Sequence, residues 1–289
     1  MHLDVVDLRR FYYGTRLGRV AQRNLQAVLR GLWPDVRGGD LVGFGFAAPL
    51  LQPFVGEADR VLSMMPAPQG VMPWPAAAEN LSALIEETRW PLAPGSVAHL
   101  VVAHGFETCE RQGALLEEIW RILAPNGKVV FIVPNRSGLW ARRDATPFGF
   151  GRPYTVSQLE AQLRRHRFIP ERHAAVLYTP PSHRRFWLRT SRVWEELGRR
   201  LDAQRLAGAL LVEATKQVYL MAQSGTKAEA RDPLKIFGEL PTPAAGRAAA
   251  RTGSVAARIG GDAGPAREST AKSVAGGGSP RRDPYFSTG

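Results

Sequence analysis

Short apolar runs alternate with stretches of helical periodicity along this chain, and the alternation limits the folds it can adopt. The runs are five to seven residues long, end at Gly, Pro or charged residues, and cover residues 41–46, 60–65, 81–85, 97–103, 128–133 and 174–178. Such runs are typical of strands buried on both faces. A seventh strand is predicted within 208–221, and helices over 13–33, 111–123, 156–166 and 182–205. The pattern predicts an α/β fold with a doubly wound, mostly parallel, seven-stranded Rossmann-like sheet.

The composition changes near residue 223, which predicts two regions. Residues 224–289 are rich in Ala, Gly, Pro, Ser and Arg, with few large aliphatic residues and a net charge of +4. Such a segment cannot bury enough apolar surface to offset the loss of chain entropy. We therefore expect a folded domain over 1–223 and a disordered basic tail over 224–289.

Several protein classes are excluded or disfavoured by composition. No run of 18 or more apolar residues occurs among the 289, so no membrane-spanning helix is expected. The first residues lack the basic and apolar regions of a secretory signal. Cys109 is the only cysteine, and no Cys/His spacing makes a zinc site, so neither an internal disulfide nor a bound metal is expected. We expect a soluble cytoplasmic protein.

Positive charge is concentrated in one part of the predicted domain. The chain carries +12 overall, and residues 136–205 hold 15 Arg and no Lys against 6 Asp and Glu. An arginine field of this kind suggests an anionic partner such as a phosphate, a carboxylate or nucleic acid. A solvated basic helix face explains the same pattern, and both interpretations stay open at this point.

The first predicted strand ends in a glycine-containing loop, Gly43-Phe44-Gly45. A Gly-x-Gly turn at this place lets the backbone approach a ligand closely, while the next helix offers free N–H groups. Ala47 or Ala48 stands where a third glycine is common, and alanine is tolerated there if the backbone is not left-handed. A tight turn without any ligand explains the motif equally well.

The segment from Glu117 to Val130 describes a helix, a Pro/Gly turn and a strand. Its Glu-x-x-Arg-x-Leu-x-Pro-x-Gly pattern, from Glu118 to Gly127, resembles that of the class I S-adenosylmethionine-dependent methyltransferases. The resemblance covers roughly residues 38–135, and the predicted strand order extends it to about residue 222. More narrowly, the chain resembles a bacterial subgroup of methyltransferase-like proteins, whose substrate the resemblance does not supply.

This resemblance implies S-adenosylmethionine as the cofactor. It places Gly43, Gly45 and Ala47 beneath the methionine part of the cofactor, with the loop that contains His104 facing it. Glu86 takes the place of the acid that accepts a hydrogen bond from the adenine amino group, and Glu87 is a neighbour that could substitute for it.

The sequence departs from the family at the end of the second predicted strand. Residues 63–67 contain no carboxylate, whereas the family uses an acid there to bind both ribose hydroxyls. Gln69 is the nearest polar replacement. Without a replacement, the missing charge-assisted hydrogen bonds would weaken cofactor binding by several kcal/mol, at ~1.5–3 kcal/mol each. His104 is a weak candidate for a general base, and a purely structural role explains it as well.

The segment over residues 134–154 mixes guanidinium and aromatic side chains at the edge where open α/β sheets bind substrates. It could form a lid that holds a phosphate or carboxylate. It could equally be a structured loop that packs Trp140 and Phe148 inward. The candidate substrate-binding residues are Arg136, Trp140, Arg142, Arg152 and Tyr154.

The leading interpretation is an S-adenosylmethionine-dependent methyltransferase with a small-molecule or anionic acceptor. One alternative is a non-catalytic binding protein of the same fold that uses the arginine-rich residues 136–205. Nucleic-acid binding by the same residues and the tail is another, although no nucleic-acid motif is present. A nicotinamide-dependent dehydrogenase shares the Gly-x-Gly turn but needs a third glycine that is missing, and residues 117–130 argue against it.

Overall fold

The fold is built on one seven-stranded sheet. The computed structural model describes residues 3–142, 146–182, 184–200 and 204–216. The strands are β1 (Asp40–Gly45), β2 (Arg60–Pro66), β3 (Ser82–Ile85), β4 (Val97–Ala103), β5 (Leu123–Pro134), β6 (Phe168–Val176) and β7 (Ala209–Lys216). Their order is β3-β2-β1-β4-β5-β7-β6. Strands β1 to β5 pair in parallel, and β7 runs antiparallel to both β5 and β6. The predicted mostly parallel sheet is confirmed.

Helices connect the strands and cover the sheet. They are α1 (Val5–Arg9), α2 (Arg16–Leu32), α3 (Ala48–Leu51), α4 (Gln112–Ile122), α5 (Val156–Arg165), α6 (Arg185–Arg189) and α7 (Ser191–Arg200), with a π-helical turn (Arg10–Gly14) between α1 and α2. Thr155 caps α5. Its hydroxyl accepts a hydrogen bond from the Gln158 N–H, and the Gln158 side chain accepts one from the Thr155 N–H, forming a capping box.

Two hydrophobic cores lie on opposite faces of the sheet, as expected when neighbouring strand residues point in alternate directions. Leu41 of β1 and Val101 of β4 belong to the core shared with α2, whereas Val42 and Val102 belong to the core shared with α4 and α5. The amphipathic pattern of α2 explains its packing, because its buried residues recur every three or four positions. The sheet is therefore doubly wound, and its carboxyl edge lies between the two layers.

Several elements differ from their predicted bounds. The stretch 182–205 contains two helices, because the chain leaves the helical conformation at Thr190 between α6 and α7. Strand β6 begins at Phe168, six residues before the predicted run. Its middle residues, Glu171, Arg172 and His173, are polar and exposed at the sheet edge, so its apolar residues form no continuous run.

Two further sequence predictions concern the disordered tail and the absence of a membrane-spanning helix. The tail predicted over 224–289 lies outside the described residues, so the two-part organisation stays a prediction. Of the helices that the structure describes, none has the length and apolar character needed to cross a bilayer.

Candidate functional site

The loop after β1 is held tightly against the end of β4. Gly45 has φ +77°, and a Cβ at this position would lie 2.2 Å from the carbonyl oxygen of Ala103. The next residue, Phe46, donates its N–H to that same oxygen at 2.8 Å. A Cβ on Gly43 would lie 2.7 Å from the Cβ of Ala47. Both glycines are thus required by the packing of the chain itself, whether or not a ligand also uses the turn.

Ala47 stands at the position where a third glycine is common. It precedes α3, is fully buried, and has φ −84° and ψ −17°. This is ordinary right-handed helical backbone, in which alanine carries no strain. Alanine is therefore tolerated at this position, because the backbone there is not left-handed.

Gln69, which follows β2, reaches across the end of β1 to the loop after β4. Its side-chain amide donates from Nε2 to the carbonyl oxygen of His104 at 2.6 Å, and only 2% of Gln69 is exposed. Its backbone carbonyl accepts a hydrogen bond of 2.8 Å from the N–H of Val5. The Oε1 atom of Gln69 is buried and has no hydrogen-bond partner among the described residues. The residue predicted as a replacement for the missing carboxylate therefore lies at this edge and bridges two of its loops.

His104 is the centre of a buried polar cluster. Its Nε2 lies 2.7 Å from the hydroxyl of Tyr12, and its Nδ1 lies 3.4 Å from Oε1 of Glu107. All three residues are 2% exposed or less. Burial, and next the nearby Glu107, raise the pKa of Tyr12 well above its ordinary value. The phenol therefore stays protonated and is available as the donor in its hydrogen bond with His104.

Aromatic rings close the space around this cluster. Tyr12 stacks on Phe46 with 5.8 Å between ring centroids, and Phe148 packs edge-on against His104 at 4.8 Å. Trp140 packs against Phe148, and its indole N–H donates to the carbonyl oxygen of Thr179 at 2.8 Å. The inward packing of Trp140 and Phe148 that sequence analysis left open is thus present.

The two glutamates after β3 lie at the same edge but in different surroundings. Glu86 keeps 60% of its side chain exposed, with one carboxylate oxygen 3.8 Å from Arg111. Two strand spacings separate it from Gly45, a span on the order of 10 Å. Glu87 is partly buried beside Cys109, and burial, followed by Glu87, raises the pKa of that thiol to about 12. No group of three or more His, Cys, Asp or Glu side chains suited to a metal ion occurs in the described parts of the chain.

The predicted substrate residues fall into two groups. Arg136, Arg142 and Arg152 are exposed. Trp140 and Tyr154 are buried, and the Tyr154 hydroxyl donates to Oε1 of Gln112 at 2.9 Å. The structure thus separates the cationic side chains, which face solvent, from the aromatic ones, which pack inside.

Neither Tyr12 nor Glu107 is indicated as a site residue by the sequence alone. Glu107 follows His104 by three positions, so both residues lie in the same loop. For Tyr12, 92 residues away from His104, no local pattern indicated the contact.

No protein-family model and no curated protein matches the sequence. The structure, however, aligns with the protein named as a methyltransferase in its complex with the Haloferax volcanii Trm112 methyltransferase activator. The two share 16% identity, 75% of this chain and 100% of that chain are covered, and the TM-score is 0.53. The chain has the class I methyltransferase fold. Methyltransferases from Thermotoga maritima (14% identity, 70% and 92% covered, TM-score 0.48) and Mesorhizobium loti (18%, 66% and 96%, 0.48) also align.

Whether S-adenosylmethionine fits the carboxyl edge of the sheet can be tested on the buried polar atoms there that have no hydrogen-bond partner. Gln69 Oε1, His104 Nδ1 and Glu107 Oε2 are buried and make no hydrogen bond among the described residues, although Nδ1 lies 3.4 Å from Glu107 Oε1. Buried polar atoms are normally paired, so a cluster of three points to a missing polar partner. The His104 and Glu107 atoms suit the amino acid end of the cofactor, and Gln69 Oε1 suits a ribose hydroxyl.

Side chains cover the carboxyl edge of the sheet in this structure, so the candidate cofactor site is closed. Gln69 spans from the β2 side to the β4 side, and Tyr12 covers Phe46 and His104. The polar groups and the backbone turn thus fit the cofactor, but Tyr12 and the Gln69 amide must withdraw before it enters. The acid that binds the ribose in the family has no counterpart at the end of β2, where Met65 and Pro66 are buried.

Proposed function

We propose that this protein is an S-adenosylmethionine-dependent methyltransferase acting on a small-molecule or anionic acceptor. The observation that carries the proposal is the group of three unpartnered buried atoms on Gln69, His104 and Glu107. They lie beside the Gly45 turn, where the resemblance places the methionine part of the cofactor. The fold alone would not suffice, since one fold hosts many functions.

Each candidate residue at the carboxyl edge of the sheet has a defined role in cofactor binding in this proposal. The backbone at Gly45 and the loop at His104 form the floor for the amino acid end, Gln69 takes the place of the missing ribose acid, and Glu86 accepts from the adenine amino group. The bound cofactor supplies an activated methyl group on a sulfonium. What remains for the protein is to exclude water and align the acceptor, which needs no strong acid or base. We assign His104 a positioning role, held between Tyr12 and Glu107.

The amino-terminal residues control access in this proposal. Tyr12 and the Val5 N–H each make one hydrogen bond to the site, to His104 and Gln69 respectively. Withdrawal of this segment breaks both bonds and uncovers Phe46. A binding-competent state that is populated only in part lowers the apparent affinity by the same fraction. We therefore expect weak cofactor binding by the wild-type protein.

Titration calorimetry with S-adenosylhomocysteine tests the proposal. We expect binding in the micromolar to millimolar range, weakened about tenfold by Glu86→Ala through loss of one charge-assisted hydrogen bond. Glu79→Ala is the matched control, because Glu79 is an exposed acid away from this edge, and it should bind as the wild type does.

The outcome against the proposal is also defined. If neither the wild type nor Tyr12→Ala binds S-adenosylhomocysteine at millimolar concentration, the cofactor assignment is wrong. The chain would then keep only the methyltransferase fold, as in the non-catalytic alternative.

A further inference from the structure

A cavity of about 540 Å³ lies between α2 and α6, apart from the cofactor edge. Four of the eight residues that line it are arginines, and none is acidic. Three of them, Arg16, Arg19 and Arg23, follow one another on α2 at spacings of three and four residues, which places them on one face of the helix. The fourth, Arg189, ends α6 on the other side of the cavity.

These arginines differ from several others in the described chain. Arg30, Arg60, Arg121 and Arg172 each contact a carboxylate. Within the described residues, no carboxylate lies within 4 Å of the guanidinium of Arg16, Arg19, Arg23 or Arg189. Arg19 donates to the carbonyl oxygen of Tyr13 at 3.0 Å, which fixes that side chain along the cavity wall. The four like charges repel each other, and an anion bound among them would relieve that repulsion.

The lining indicates the chemistry of the anion. Guanidinium groups pair with phosphate through two parallel hydrogen bonds, which suits a ligand with several phosphate oxygens. Only two of the eight lining residues, Val20 and Leu188, are apolar, so the guanidinium groups dominate the polar chemistry of the cavity. The volume lies within the range of about 300–1,000 Å³ that is typical of small-molecule sites.

We infer that this cavity binds a small molecule carrying a diphosphate or longer phosphate chain. A small ligand is favoured over nucleic acid because the arginines come from two helices on either side of one concavity, whereas a duplex needs a stripe of charge along an open surface. The side chains used are not those assigned to the cofactor, so the inference does not depend on the proposed function.

Titration calorimetry with inorganic pyrophosphate on the full chain tests the inference. We expect saturable binding at one site, at least about fivefold tighter than binding of inorganic phosphate because more guanidinium groups are engaged. Arg19→Gln and Arg189→Gln, which alter opposite walls, should each weaken pyrophosphate binding about fivefold or more. Both residues are exposed, so the variants should fold.

Arg165→Gln is the matched control. It removes the same charge from an exposed position on α5, a helix that packs on the other face of the sheet. Binding within about twofold of the wild type by this variant supports the site, whereas an equal loss in all three variants means diffuse attraction and overturns it.

Two further outcomes would also overturn the inference. One is the absence of pyrophosphate binding at millimolar concentration. The other is binding of a DNA duplex of about 20 base pairs that is lost in Arg19→Gln, with no binding of pyrophosphate. Titration of the same variants with S-adenosylhomocysteine separates this site from the cofactor edge, because that binding should be unchanged.

Discussion

The hydroxyl of Tyr12 lies 2.7 Å from Nε2 of His104, and both residues are almost completely buried. This contact joins the turn before α2 to the loop after β4, across the carboxyl edge of the sheet. It therefore links the amino-terminal residues to the site at which the chemistry is proposed, so the bond has consequences both for stability and for ligand access.

Replacing Tyr12 by Phe removes this bond but keeps the ring that stacks on Phe46. We expect the free energy of unfolding to fall by about 1–2 kcal/mol, since His104 Nε2 is left buried without a partner. We also expect S-adenosylhomocysteine to bind a few-fold more tightly, because the closed state loses stability relative to the open one. Urea denaturation and calorimetry measure the two effects.

Tyr13→Phe serves as the control for this change, because Tyr13 is adjacent in sequence and 41% exposed. It should alter neither quantity by more than the experimental error. Weaker ligand binding by Tyr12→Phe would contradict the view that Tyr12 closes the site.

Gly45 and Gly38 provide a comparison that separates backbone strain from steric conflict. Both have φ +77°, but a Cβ on Gly45 would meet Ala103 while a Cβ on Gly38 meets nothing within 4 Å. Gly38→Ala should therefore cost about 1 kcal/mol, the strain of a left-handed alanine. Gly45→Ala should cost about 3 kcal/mol or more, because strands β1 and β4 must move apart. Equal losses in chemical denaturation would contradict the close approach of the two strands at Gly45.

Glu213 of β7 is fully buried and pairs with Arg172 of β6 and the indole N–H of Trp33, the latter at 2.8 Å. Burial by itself raises the pKa of Glu213, but hydrogen bonds from Arg172 and Trp33 outweigh it and lower the pKa below its ordinary value of 4.5. Glu213→Gln should reduce the free energy of unfolding at neutral pH by about 2 kcal/mol.

The pH dependence follows from the direction of this shift. Because the folded pKa lies below the unfolded one, the stabilisation is fully present above pH 4.5 and is lost as the pH falls through the folded value. The difference between wild type and Glu213→Gln should therefore shrink below pH 4.5. Glu160→Gln, which breaks the more exposed pair with Arg164, should cost less than about 1 kcal/mol.

Cys109 should be unreactive in the native protein. The residue is 1% exposed, and burial, with a further contribution from Glu87, raises the pKa of its thiol to about 12. Since the thiolate is the nucleophile, iodoacetamide at a pH of about 8 should not label the folded chain, whereas the chain in guanidinium chloride should be labelled completely. Mass spectrometry distinguishes the two, and rapid labelling of the native protein would show that the thiol is accessible.

Local sequence patterns were enough to predict the sheet but not its edges. The runs at β1 and β4 are continuous because both faces of those strands are covered. Strand β6 lies at the edge of the sheet, where the exposed polar residues Glu171, Arg172 and His173 interrupt its apolar run. The helix α1 was missed because five residues, capped by Asp4, carry too little periodicity to be recognised.

Only those residues of the candidate site that are close in sequence to the strand ends could be predicted. Gly45, Gln69 and His104 lie at or just after the ends of β1, β2 and β4, so the parallel sheet brings them to one edge. The contact of Tyr12 with His104 depends on how a distant segment folds over that edge. The arginines of the cavity beside α2 were likewise outside residues 136–205, apart from Arg189, because overall charge density does not show which arginines share a concavity.

The hydrogen bond from the Val5 N–H to Gln69 has a practical consequence. Residues 5–12 form part of the wall of the site, so a purification tag fused on their amino-terminal side would perturb their packing and change ligand affinity. Recombinant protein for binding studies should therefore carry its tag at the other end.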